Sequence, residues 1–378
     1  MKICLTTSTF PAEPSDHTHA HFLVDAIRIL QALGHEVCVL TQARVLHPTP
    51  PLAGLDVTWF PWRALGPRLA ELSFSSPSGL FSAVSLLESG VRHVRALRQS
   101  RGIDVFLCAW VIPSGIYLLL DQILHRSRVP YALWALGSDL NKYKSNPVVR
   151  RLIRSIASRA GQLYADGHRL ARDFSELAGK ECEFLPTFRA LLPRARTPSV
   201  EGRARFLYVG RHAHVKGTDV LIRALSELKG EDFRFDIVGD GEQTPELKRA
   251  IVAAELTDQV QFRGRLDNDE LADAYAHCDC VVIPSRSESI PIVMSEALQY
   301  GLPLIVSDVG DMGDLTRLYQ LGETIPAGDA PELARKIRGF MRAPVATNAA
   351  LRSELLAELA FESAAPKLTA RLEALIRR

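Results

Sequence analysis

Apolar and polar positions along the chain fall into two alternating periods. Lys2–Thr6 is a short apolar run of strand character, and His21–Leu33 then sets Phe22, Leu23, Ala26, Ile27, Leu30 and Leu33 at helical spacing. Gly34 stands where a helix C-cap belongs, and Glu36–Leu40 returns to strand character, which predicts one β-α-β unit. The succession recurs: strand at Asp104–Trp110, helix at Ile116–Leu124, strand at Tyr131–Leu136, helix at Pro147–Ala160, strand at Gln162–Ala165. Pro186–Gly202 breaks it with Pro186, Pro193, Pro198 and several arginines, and reads as a linker.

A second alternating region begins at Arg205. Strands are predicted at Phe206–Val209, Phe233–Val238, Val260–Phe262, Asp279–Ile283 and Leu302–Ser307. Helices are predicted at Pro245–Ala254, Asp269–His277 and Pro291–Tyr300, with another capped by Thr218 or Asp219 and carrying Val220, Leu221, Ala224, Leu225 and Leu228. Short connections between alternating β and α elements predict parallel sheets covered by helices on both faces. The expected domains are 1–190 and 200–360, with a last helix near 361–378 crossing back onto the first domain.

A length of 378 residues suits two domains, and 47% apolar with 23% charged residues excludes disorder or a fibre. The six cysteines form no CxxC pair, so a zinc ribbon or thioredoxin motif is not expected; buried reduced thiols point to a cytoplasmic protein. Met1–Leu5 runs straight into a strand, and no signal peptide is expected. Charge divides the chain: residues 1–195 carry 22 Lys and Arg against 15 Asp and Glu, and the remainder carries 23 against 28. The basic first half suits an anionic partner, such as a membrane surface or phosphorylated acceptor, or is a surface fluctuation. Lys142, Lys144, Arg150, Arg151, Arg154 and Arg159 sit among Val148, Val149, Leu152, Ile153 and Ile156, a pattern for a basic amphipathic helix. No nucleic-acid partner is expected.

Two loops carry the candidate chemistry. Gly210-Arg211-His212-Ala213-His214-Val215-Lys216-Gly217 lies between a strand and a helix, the edge of a parallel sheet where ligands bind. Its end glycines allow close backbone approach, and Arg211 and Lys216 suit a departing diphosphate; the plainer reading is two solvated cations. Glu288-Ser289-Ile290-Pro291-Ile292-Val293-Met294-Ser295-Glu296-Ala297 again leads from a strand into a helix, with Pro291 expected in its first turn. The N–H groups of Ser289–Ile292 suit an anion or sugar hydroxyl, and Glu296, which interrupts an apolar run, suits the paired hydroxyls of a ribose. Glu288 alone also reads as an acid favouring the helix dipole.

Taken together, the G-R-x4-K-G loop and the E-x7-E segment resemble glycosyltransferase family 4 of the GT-B superfamily. Val238-Gly239-Asp240-Gly241, Phe262-Arg263-Gly264, Gly301-Leu302-Pro303 and Gly34-His35-Glu36-Val37 add to the resemblance, which is densest from about 203 to 310. It implies two Rossmann-like domains with parallel sheets facing across a cleft, a nucleotide-sugar donor (UDP- or GDP-linked) in the C-terminal domain and a glycan, lipid-linked or small-molecule acceptor in the N-terminal one. It further implies retention at the anomeric carbon, and a role in cell-envelope or exopolysaccharide synthesis. By the resemblance, Arg211 and Lys216 bind the diphosphate, Glu288 lies near the donor sugar, and Glu296 holds the ribose. Gly210, Ser289, Ile290 and Pro291 contact the donor through backbone, and Gly264 and Arg265 adjoin the base. No cofactor and no metal are implied. Relatives that use lipid-linked acceptors dock a basic surface on the membrane, so peripheral contact through the N-terminal domain is expected.

The N-terminal half departs from the pattern twice. Ser15–His21 replaces a pair of glycines after the first strand; there Asp16 and His17 are either cleft-lining polar groups or plain surface, and the alternating His17, His19 and His21 lack a partner carboxylate cluster. Leu136 stands where relatives often carry histidine, leaving Asp139 as an acceptor contact or a helix N-cap. Two other classes remain open: a sugar-nucleotide 2-epimerase of the same fold, and a non-catalytic nucleotide-sugar-binding subunit. A nicotinamide dehydrogenase is disfavoured, because Thr6-Thr7-Ser8-Thr9-Phe10-Pro11 stands where GxGxxG would follow the first strand.

Overall fold

The computed structural model describes residues 1–11, 20–43, 54–63, 77–141, 146–197 and 203–377. The chain divides into two compact units, Met1–Pro186 with Phe361–Arg378, and Thr187–Ala360. Each is built on one parallel sheet.

In the first unit the strands are β1 (Lys2–Thr7), β2 (Glu36–Gln42), β3 (Asp56–Phe60), β4 (Val105–Ala109), β5 (Tyr131–Ala135), β6 (Gln162–Ala165) and β7 (Cys182–Phe184). Their order is β3-β2-β1-β4-β5-β6-β7, all parallel. Every residue of β4 and β5 is buried, as expected of central strands covered on both faces. The helices are α1 (His21–Ala32), α2 (Pro77–Arg101), α3 (Ser114–His125), α4 (Ser138–Asn141), α5 (Pro147–Arg159) and α6 (His168–Ala178). α1 buries Phe22, Leu23, Val24, Ala26, Ile27 and Leu30 against the sheet. Asn146 caps α5, its side chain accepting from the N–H groups of Val148 and Val149 at 3.1 and 3.2 Å.

In the second unit the strands are β8 (Ala204–Val209), β9 (Phe233–Val238), β10 (Val260–Gly264), β11 (Cys280–Ile283), β12 (Leu304–Ser307) and β13 (Gly322–Ile325). They are parallel in the order β10-β9-β8-β11-β12-β13. The helices are α7 (Thr218–Ser226), α8 (Thr244–Ala253), α9 (Asn268–Ala276), α10 (Ile292–Gln299), α11 (Met312–Leu318), α12 (Ala330–Arg342) and α13 (Ala349–Leu359). α9 opens on a full capping box: Asp267 accepts from the Glu270 N–H at 2.9 Å and Glu270 from the Asp267 N–H at 3.0 Å. Chain order runs outward from β8 in one direction and from β11 in the other. The switch point of the sheet therefore lies between those two strands, and the loops leaving both open at its carboxyl edge. Both sheets are of the doubly wound Rossmann type, as the sequence predicts.

The last helix, α14 (Phe361–Ile376), groups with the first unit. Phe361 lies against Trp134 at 5.7 Å between ring centroids, and Lys367 and Arg371 pair with the buried Glu183 carboxylate at 2.6 and 3.0 Å. Among the described residues no helix is long and apolar enough to cross a membrane. All six cysteines are free thiols; five are buried and Cys182 is half-buried.

Three local expectations need correction. Thr218 and Asp219 do not cap α7: the N-cap is Gly217, in the left-handed region at φ 69°, and Thr218 begins the helix. Pro291 is the N-cap of α10 rather than part of its first turn. The segment read as a linker from Pro186 is, through Thr197, laid along the second unit. Gln299 binds both the Arg189 carbonyl and the Leu191 N–H, Tyr300 donates to the Leu192 carbonyl, and Arg194 pairs with Asp269 and Asp273. Arginine and proline composition suggests an open linker; acids on α9 give those arginines partners that composition does not reveal.

Candidate active site

The loop leaving β8 and the loop leaving β11 meet at the switch point. Gly210 follows β8 directly, its N–H donating to the Val238 carbonyl at 3.0 Å. The loop ends in a single 3-10 turn, His214–Lys216, and in Gly217. A Cβ at Gly217 would lie 1.9 Å from the Pro284 carbonyl oxygen, so only glycine brings the two loops this close. The same holds at Gly239 (φ 121°), where a Cβ would lie 1.9 Å from the Gly210 carbonyl oxygen.

The charges then follow from the backbone. Lys216 Nζ lies 2.5 Å from Glu288 Oε1, and Ser285 Oγ donates to the same oxygen at 2.9 Å. Both donors occupy one oxygen, and no bond to Glu288 Oε2 is seen among the described residues. The Arg211 side chain is exposed and makes no hydrogen bond or ion pair among the described residues. Ser289 accepts from the Asp311 N–H at 3.2 Å, and Ile290 and Pro291 are buried at the start of α10, whose first turn has no side-chain cap. An uncapped helix start, with Lys216 tied to the segment that leads into it, is an anion-favouring arrangement.

Glu296 lies deeper. Its side chain is 2% exposed; Tyr275 Oη donates to Oε2 at 2.8 Å, and Arg189 Nη1 lies 3.4 Å from Oε1. Arg189 also binds Asn268, and its buried Nε has no partner among the described residues. Burial beside the Glu296 carboxylate pushes the Tyr275 phenol well up, so it stays a neutral donor. Gly264 ends β10 at φ 68°, its carbonyl accepting from Gly239 N–H at 2.7 Å; Arg265 is exposed and approaches Asp240 at 3.9 Å.

Behind the first loop stands a group that the sequence reading missed. His212 is fully buried, its Nδ1 2.8 Å from Thr244 Oγ1, which donates to Asp240 Oδ1 at 2.8 Å. Burial holds the His212 imidazole below its usual range, hence neutral. This chain ties the Arg211 loop to the turn after β9. Ser285, Tyr275 and Arg189 were also missed. Only Ser285, three residues before Glu288, had a signal in its spacing.

In the first unit, Asp139 is buried. Its Oδ2 accepts from the Val111 N–H at 2.7 Å and its Oδ1 from the Leu136 N–H at 3.1 Å, so it joins the exits of β4 and β5. It lies within α4 rather than at its cap. Desolvation pushes its carboxyl up to about 6 against the pull of those N–H groups. Asp16 and His17 lie outside the described residues, as do His19, Lys142 and Lys144. Among the described residues no three His, Cys, Asp or Glu side chains group as metal ligands.

The second-unit geometry, two charged loops joined at a switch point, coincides with a family match. Residues 193–354 match the glycosyl transferases group 1 family. The group 1 match spans both loops and all of β8–β13. The alpha-D-kanosaminyltransferase of Streptomyces kanamyceticus is 30% identical over 225 residues, 59% of this chain and 57% of that protein. The 2-deoxystreptamine glucosyltransferase of the same organism is 34% identical over 155 residues, 40% of each. The sulfoquinovosyl transferase of Arabidopsis thaliana is 29% identical over 209 residues, 54% of this chain and 38% of that protein. The matched stretch thus spans about half the length of these relatives. Among solved structures, the sucrose-phosphate synthase of Thermosynechococcus elongatus superposes with TM-score 0.78 at 18% identity, covering 99% of both chains. Anabaena HepE in complex with UDP and glucose gives 0.74 at 18%, covering 99% of this chain and 100% of that one. The structural likeness establishes the fold. The family matched over residues 193–354 and the three named relatives are all glycosyl transferases.

Proposed function

We propose that the chain moves a sugar from a nucleotide-sugar donor to an acceptor hydroxyl, with retention at the anomeric carbon and without a metal ion. The observation that carries the reading is the meeting of Lys216 and Glu288 at the switch point, where the loop that also carries Arg211 reaches the segment leading into the uncapped start of α10. Arg211, Lys216 and the α10 N–H groups oppose the charge that develops on the departing diphosphate. The acceptor oxygen bonds to the anomeric carbon on the face from which the diphosphate leaves, and its proton passes to a phosphate oxygen of that leaving group. Glu288 orients the donor sugar through Oε2, while Lys216 and Ser285 hold Oε1. Glu296 receives the ribose hydroxyls on the lone pairs left by Tyr275 and Arg189. Gly264 and Arg265 border the base, which is read by backbone groups.

UDP is the first nucleotide to try, because the Anabaena structure holds UDP. The acceptor is a glycan, a lipid-linked sugar or a small hydroxylated molecule. α5 supports contact with an anionic membrane: it buries Ile153, Ile156 and Ala157 and turns Arg150, Arg151, Arg154 and Arg159 outward. On this reading the enzyme works at the cytoplasmic face of a membrane.

A thermal-shift screen with UDP, GDP and their sugar conjugates tests the reading, since a bound ligand raises stability by mass action. At least one nucleotide is expected to stabilise the wild type and to fail with Glu296→Ala. Product analysis then decides the reaction: a glycoside with the donor's anomeric configuration supports the proposal, and a free epimeric sugar nucleotide replaces it with epimerisation.

A further inference from the structure

The loop that carries Lys216 is held to the loop that carries Glu288 by a residue outside the expected site. Arg286 lies two positions before Glu288. Its Nη1 and Nη2 donate to Asp219 Oδ1 and Oδ2 at 2.6 and 2.7 Å, a bidentate pairing. Nη1 also donates to the His214 carbonyl at 2.8 Å, and the Arg286 N–H donates to the Val215 carbonyl at 2.8 Å. Three of these four bonds come from the guanidinium, and together they grip both sides of Lys216: the turn at His214–Val215 before it and Asp219 after it.

Asp219 is what makes this more than a structural staple. It lies in the first turn of α7, three residues from Lys216, where the helix start favours an anion. A free carboxylate there competes with a diphosphate for the positive charge of that lysine. Arg223, one turn further on, approaches Asp219 only to 3.7 Å. Burial works against ionisation of Asp219, but the Arg286 guanidinium outweighs it and holds the carboxyl below its usual range. Asp219 is therefore a charge that Arg286 must neutralise.

We propose that Arg286 is a positioning residue for the diphosphate site: it fixes the turn that presents Lys216 and cancels Asp219, leaving the positive potential to the donor phosphates. The inference rests on the donor reading above. Isothermal titration of the full chain with UDP and with GDP tests it. Arg286→Gln is expected to weaken binding of the nucleotide that the wild type takes by about tenfold, the loss of one charge-assisted pairing. Arg286→Lys recovers only part of this, because an ammonium cannot pair bidentately. Adding Asp219→Asn to Arg286→Gln brings affinity back to within about threefold of the wild type, a non-additive recovery that mere loop support would not give. Unfolding without nucleotide changes little throughout, because the pair is partly exposed. Wild-type affinity in Arg286→Gln, or no recovery in the double variant, overturns the inference while leaving the donor reading intact. A wild type that binds neither nucleotide overturns both.

Discussion

The carboxyl edges of the two sheets share a strand plan and differ in how their carboxylates are held. In the first unit, Asp139 joins the exits of β4 and β5 by accepting from two backbone N–H groups. In the second, Glu288 and Asp219 join the exits of β8 and β11 through Lys216 and Arg286. A carboxylate held by backbone cannot exchange partners without opening the fold. A carboxylate held by a lysine can release that lysine to a ligand. The topology thus fixes where a site can form, and the kind of partner decides whether the edge is structural or chemical.

Lys216→Ala removes the cation that distinguishes the second unit's edge from the first. It is expected to lower kcat/KM by about 10²–10³-fold, as for removal of one donor to a developing anion, while the chain stays folded by circular dichroism. Initial rates with the best nucleotide sugar check it. Glu296→Ala comes next: it leaves the Arg189 guanidinium buried without its carboxylate, which costs about 3–5 kcal/mol of stability in urea unfolding. A loss below about 1 kcal/mol would mean that Glu296 is not the buried anchor described.

Asp139 supplies the contrasting test. Its folded pKa, about 6, lies above the ordinary carboxylate value, so the folded state holds the proton more tightly than the unfolded chain. Its contribution is fully present below about pH 4 and is lost as pH rises through about 6, an effect of roughly 2–3 kcal/mol. Asp139→Asn should remove that part of the pH dependence in paired unfolding curves. An unchanged pH profile would put Asp139 in a solvated setting. The smallest effect is expected at Arg265. It is exposed and 3.9 Å from Asp240, so Arg265→Ala should change nucleotide affinity less than about threefold by titration.

Much of this was legible in the sequence because parallel strands buried on both faces read as apolar runs; β4 and β5 are the clearest cases. The short β3, β7 and β13 were not. Their burial is partial, and in three to five residues no period can establish itself. The 25-residue α2 was also missed, because Leu80, Phe81 and Val84 are exposed and blur its buried stripe. Lys216 and Glu288 were legible because each sits at a strand-to-helix edge. Their being partners was not, since they stand 72 residues apart. Arg189 was misread as linker because its partner Glu296 lies 107 residues on.

Everything proposed for the second unit depends on the loops leaving β8 and β11 binding a nucleoside diphosphate. Titration of wild type and Lys216→Ala with UDP and GDP, followed by calorimetry, tests it most directly. The wild type is expected to bind at least one of the two, and Lys216→Ala is expected to weaken that binding tenfold or more. Binding of neither nucleotide, or binding that Lys216→Ala leaves untouched, would contradict it.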